Sequence, residues 1–191
     1  TCPTIPSTSY AENTASSLLY LSLEVAGIRA GSGPGTATLG HAAGHVGKAV
    51  GICASLRALA QPSTAGGERV ATTCVLPMDV MRKNVLRHGV LERGPRSPDE
   101  SHALAECVFD VASVAKGHME ASEESLAAAR IETGGKLPRG AFAALLPGMR
   151  AAWYLETLQK CNFDAFDEGL RPRSPLSFQW RLAKAMLTEK F

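Results

Sequence analysis

The chain has 191 residues, enough for one domain with a substantial hydrophobic core and too short to expect two. Apolar residues make up 45% of it and aromatics only 6%, an alanine-biased balance that favours helices over strands. The net charge of +2 lacks the dense Lys/Arg stripe of a specific nucleic-acid binder, and no uninterrupted apolar run reaches the ~18–20 residues that span a bilayer.

The first helix is expected to follow Ser7-Thr8-Ser9, with Ser9 and Glu12 spaced as a capping box. Ala11, Ala15, Leu18, Leu19, Ser22 and Ala26 recur at helical spacing and predict its buried face, and Gly27 and the phrase AGSGPGT mark the exit loop. A second helix is predicted from about Thr36 to Gln61. Gly40, Gly44, Gly47 and Gly51 line one side of it, and each costs about 1 kcal/mol relative to alanine, so a neighbouring helix must approach closely there. Leu39, Val46, Val50 and Cys53 form a bulkier stripe beside the glycines, which predicts burial on two sides. Pro62 ends this helix.

Residues 63–77 read as extended loop, with a β-branched run that has no obvious strand partner. A short helix is expected from Asp79 to about His88, then a connector at 92–98. A long helix is predicted from Asp99 to Arg130, with Leu104, Val108, Val111, Ala115, Met119, Ser122 and Leu126 on its core face. Gly134-Gly135 and Pro138 separate it from a helix over 140–160 that Pro147-Gly148 interrupts or kinks. A connector over 163–175 leads to a last helix, Leu176 to Lys190, facing inward through Phe178, Leu182 and Met186. The expected architecture is a compact all-α domain without internal repeats.

Candidate chemistry is sparse. His41 and His45 have the i, i+4 spacing of two zinc ligands, but position 42 is alanine rather than a general base and no third ligand is evident, so both are read as polar helix positions. Asp164 and Asp167 could hold magnesium as paired carboxylates, yet beside a helix end they read as turn and cap residues. Glu106, Asp110 and the acidic run at 120–124 read as solvated surface, and His118 as a hydrogen-bonded, half-buried core histidine. GSGPG at 31–35 lacks the strand and spacing of a dinucleotide fingerprint, and no phosphate-loop motif occurs. The cysteines (Cys2, Cys53, Cys74, Cys107, Cys161) are dispersed without a C-x-x-C pair, which suits free buried thiols in a reducing compartment. No catalytic, cofactor-binding or metal-ligating residue is assigned.

The order of the phrases YAENTASSLLYLSLEVAGI (10–28), HAAGHVGKAVGICASLRA (41–58), VLPMD (75–79) and VFDVASVAKGHM (108–119) carries more information, and LETLQKCNFDAF (155–166) continues it. Together they resemble the squalene/phytoene synthase family, in particular its mitochondrial branch of complex I assembly factor 6 type. The resemblance implies an isoprenoid-synthase-type helical bundle across residues 1–191 as a single domain, lacking the N-terminal part of the fold. Active members clamp a prenyl diphosphate through magnesium held by two aspartate-rich motifs, because diphosphate charge in an apolar cavity needs divalent cations and convergent carboxylates. The second of these motifs follows a Leu-Arg pair, matched here by Leu56-Arg57, but Ala58 and Pro62 stand where its acids belong. The first would lie upstream of Tyr10; the chain opens at Thr1 rather than Met, so something upstream is expected to have been removed or left out.

The resemblance therefore implies a pseudoenzyme, not an enzyme, without cofactors, acting through other protein chains of a large mitochondrial complex. The role is assembly of respiratory complex I, or an accessory subunit of it, in the matrix or on the matrix face of the inner membrane. Alternative hosts are the mitoribosome and ATP synthase. An active prenyltransferase completed by a partner chain, and a lipid held in the vestigial cavity, are the competing readings.

Overall fold

The computed structural model describes residues 12–59, 64–65, 68–69, 76–170 and 175–188. Its first element is a π-helical turn, Glu12–Ser16, which runs directly into α1, Ser17–Val25. Ser9 of the expected capping box lies outside the described residues; Glu12 instead accepts a hydrogen bond from the Tyr20 phenol at 2.5 Å. A π turn widens the helical circuit by one residue and rotates everything after it. The predicted face therefore does not carry through: Leu18, Ser22 and Ala26 are exposed, and the buried stripe is Ser16, Leu19 and Leu23.

The second helix, α2, spans Thr36–Leu59 and is the axis of the fold. Leu39, Val46 and Leu56 are completely buried along it, each contributing about 1.5–3 kcal/mol relative to exposure. The glycine seam is real but shorter than the four-residue pattern. A methyl group on Gly47 would overlap the Ser16 backbone, and one on Gly44 would lie 2.6 Å from the Tyr20 hydroxyl, whereas Gly40 faces open space. The π turn and α1 press onto one side of α2, and the later helices Pro98–Glu132 and Pro147–Lys160 onto others. Burial on more than one side follows from that.

Pro62 and the β-branched run at 70–75 lie outside the described residues; just before that run, Thr64–Ala65 (β1) pairs antiparallel with Glu68–Arg69 (β2). The single helix expected after Pro77 is two short ones, α3 (Met78–Lys83) and α4 (His88–Arg93). They are split at Val85, whose φ of 55° is left-handed.

The long helix α5 runs Pro98–Glu132. Ser97 caps it by accepting from the Glu100 backbone N–H at 3.2 Å, while the Glu100 carboxylate accepts from the Arg96 N–H at 2.8 Å. Its predicted core face holds: Leu104, Val108, Ala115, Met119, Ser122 and Leu126 are buried, and Val111 is half-buried. The 140–160 region divides just before Pro147 into α6 (Ala141–Ala144) and α7 (Pro147–Lys160), with the proline at the N-terminal position it tolerates. The last helix, α8 (Pro175–Thr188), buries Ala185 rather than Met186, and leaves Trp180 75% exposed.

Four helices end in the same way, with a left-handed residue whose N–H, together with the next one, closes two backbone bonds onto the last turn. Those residues are Gly27, Val85, Gly134 and Asn162. Two core clusters result. One gathers the C-terminal half of α2 with α3, α4, the first half of α5, and α7. The other gathers α1, the first half of α2, the end of α5, α6 and Ala185 of α8.

Candidate functional site

The polar residues of the interior concentrate where the π turn, α1, α2 and α5 meet. Lys48 and His45 interrupt an otherwise apolar stretch of α2, and a charge in such a place requires a partner. Lys48 finds it in Glu12, with Nζ 3.0 Å from Oε2. Ser16 donates to the Gly44 carbonyl at 3.1 Å, which the absence of a side chain at Gly44 leaves open. His45 meets His118 of α5 Nδ1 to Nδ1 at 3.0 Å, the rings tilted by 47°.

The electrostatics follow from this packing. Burial works to raise Glu12, but hydrogen bonds from Tyr20 and Lys48 outweigh it and hold the carboxyl below its ordinary value. Burial, reinforced by the Glu12 charge, pushes the Tyr20 phenol up to about 12. His45 is lowered by burial and then by Lys48 and His41; His118 is lowered by burial and then by His45 and Lys48. The Glu12 carboxylate opposes both histidine shifts.

A second location matters because of what the sequence places there. At the C-terminal end of α2, Leu56 is buried, and Arg57 and Ala58 are half-buried. Tyr154 of α7 comes alongside, 2% exposed, with a hydroxyl that has no hydrogen-bond partner among the described residues. Burial raises this phenol well above its ordinary value, Cys53 adds to the shift, and Arg57 partly offsets it. Ala58, directly after Arg57, carries only a methyl group. Among the described residues, no group of three His, Cys, Asp or Glu side chains converges as a ligand set.

His41 is exposed and does not join His45; His118, 73 residues on and on another helix, takes that place. Asp164 and Asp167 accept from the backbone N–H groups of Phe166 and Gly169, at 2.9 and 2.6 Å, as turn residues do. Asp110 is more than a solvated flank: it accepts from Asn84 at 2.8 Å and from Lys83, and pins α3 to α5. Glu106 is exposed, as are Glu120, Glu123 and Glu124 of the acidic run. In the glycine loop, Gly31 donates to Thr36 Oγ1, and Gly35 passes so close to the end of α5 that a methyl group would lie 2.8 Å from Thr133. Cys53 and Cys107 are free and buried, and burial pushes their thiols up to about 12 and about 11. Cys161 is half-buried, and Cys2 and Cys74 lie outside the described residues. Sequence reasoning missed the Glu12–Tyr20–Lys48 network; the lysine within the apolar run was its one visible signal.

No described helix is long and apolar enough to cross a membrane. The family model described as squalene/phytoene synthase matches residues 8–182. The chain is 33% identical over 167 residues to NADH dehydrogenase (ubiquinone) complex I, assembly factor 6, of Rattus norvegicus, across 87% of this chain and 43% of that protein. The Homo sapiens protein of the same description is 32% identical over the same shares. The Drosophila melanogaster homolog is 35% identical over 155 residues, 81% of this chain and 39% of that one. The chain thus spans less than half the length of these relatives. No solved structure matches it. With this match over most of its length, on an all-α scaffold of the isoprenoid-synthase type, the chain belongs to the squalene/phytoene synthase family.

Proposed function

We propose that the chain is a non-catalytic member of its family that acts by protein contact in the assembly of mitochondrial respiratory complex I. The observation that carries this reading is Ala58, a methyl group directly after Leu56-Arg57 at a position where diphosphate chemistry needs a metal-binding carboxylate. The relatives, each named as a complex I assembly factor, supply the host. Support for a contact role comes from α1. Leu18, Leu21 and Val25 form an outward stripe, 65%, 57% and 90% exposed, on a helix whose other face is already buried. The matrix, or the matrix face of the inner membrane, is the compartment this role requires, and a permanent accessory subunit is its variant form.

Affinity capture from mitochondria tests the reading. Complex I subunits or their assembly intermediates should be recovered, and Leu21→Glu should abolish recovery without changing the melting temperature. Recovery of mitoribosomal or ATP-synthase proteins instead would move the host; recovery of no large assembly would overturn the contact role.

The unpartnered Tyr154 hydroxyl beside Arg57 favours a second reading, in which the old cavity still holds a polar ligand and a partner chain supplies the acids. Release of diphosphate from a prenyl diphosphate with magnesium, by the chain with its partner, would establish that reading and end the first.

A further inference from the structure

The 3.0 Å approach of His45 Nδ1 to His118 Nδ1 constrains where protons sit. One nitrogen must donate and the other accept, so the two rings hold opposite tautomers with a single N–H between them. We propose that this pair is a proton-sensitive clasp between α2 and α5, closed while it carries at most one extra proton and forced open by the second.

The argument is one of proton placement. A first added proton goes to the free Nε2 of the donating ring and leaves the shared N–H untouched; the contact becomes charge-assisted and tightens. A second proton has only the accepting Nδ1 to occupy. It sets N–H against N–H and imidazolium against imidazolium across a gap that held one hydrogen.

The surroundings set the balance. Lys48, one turn from His45 on α2, opposes both protonations, and His41, one turn before, opposes that of His45. Glu12 of the π turn favours them, but its carboxylate is already engaged by Lys48 and by the Tyr20 hydroxyl of α1. On α5 the neighbouring charges, Lys116 and Glu120, are exposed and face each other at 4.0 Å. Burial adds to the resistance, since both rings are half-buried. The same positive lysine makes the pair a poor cation site, and no third ligand joins it among the described residues.

The consequence is an acid-labile seam. Both histidines lie below their unfolded value, so the unfolded chain takes up protons first. Stability from the seam is complete above about pH 6.5 and is lost as pH falls from there through the folded-state values. The helix freed is the middle of α5, where His118 neighbours the buried Met119 and Ser122.

Nitrogen-detected NMR of the imidazoles in the whole chain tests the clasp. Near neutrality, His45 and His118 should show opposite tautomers. On acidification they should titrate in two separated steps, the second coinciding with loss of amide protection around Met119. The same tautomer in both rings, or a single titration step for the pair, would overturn the proposal. A second measurement is urea unfolding at pH 7.5 and 5.5. The folding constant of the native chain should fall further across that interval than that of His118→Gln, by up to about tenfold, because the variant lacks one of the two linked protons. Equal falls would count against the clasp, and if the variant does not fold, the ring titration alone decides.

Discussion

Gly47 of α2 lies against the backbone of Ser16 in the π turn, with no room between them for a methyl group. Gly44, one turn earlier, receives the Ser16 hydroxyl on its carbonyl. The glycines thus serve approach and hydrogen bonding at the same seam, and the π turn is the shape the partner takes to meet them.

Gly47→Ala should therefore destabilise the fold by about 2–3 kcal/mol, the cost of forcing apart a backbone contact that cannot yield by rotating a side chain. Gly40→Ala is its control: with open space around that position, it should be neutral or stabilise by about 0.5–1 kcal/mol through helix propensity. Urea unfolding of the two variants beside the native chain measures both, and a similar loss in each would refute the seam.

Val85 occupies the left-handed position of a helix terminus that glycine or asparagine fills at the other three such ends. A β-branched residue is strained there, and at 84% exposure it returns little by burial. Val85→Gly should stabilise the chain by about 0.5–1 kcal/mol, which is a rise of about 1–4 °C in Tm for a domain of this size. A fall in Tm would contradict this account of the turn.

Lys48→Met removes the cation facing Glu12. Both side chains are about one-third exposed, so the loss at neutral pH should be modest, about 1 kcal/mol. The pH dependence is the sharper reading. Glu12 is held below its ordinary value, so its contribution is present above the unfolded carboxylate range and disappears as pH falls through the folded value. The variant should show a shallower loss of stability between pH 5 and about pH 3 than the native chain; identical acid limbs would argue that Lys48 does not hold Glu12.

Ser97→Ala deletes the acceptor that caps a 35-residue helix. A loss of about 1 kcal/mol is expected, together with faster amide exchange at Glu100. No change at that amide would mean that the Ser97 hydroxyl does not carry the cap.

The sequence was most legible where periodicity ran long. Seven positions named on α5 are buried or half-buried, and the start of α2 at Thr36 is where the loop composition placed it. The misreadings have one physical origin, a local break in register that side-chain pattern does not encode. The π turn rotates α1 and exposes Leu18; Val85 divides a helix at a residue that carries no turn signal. The polar cluster was half legible. Lys48 stood out against its apolar neighbours, but its partner Glu12 and the joining of His45 to His118 depend on helix packing across a wide sequence separation.

The two tryptophans sit in opposite circumstances: Trp180 faces water from α8, and Trp153 of α7 stands half-buried, edge-on to Phe178 of the same α8 at 6.4 Å between ring centres. Replacing Trp180 by phenylalanine would leave one indole whose emission reports whether the terminal helix is seated. The molecule thus carries its own optical gauge of that docking, readable in solution without a label.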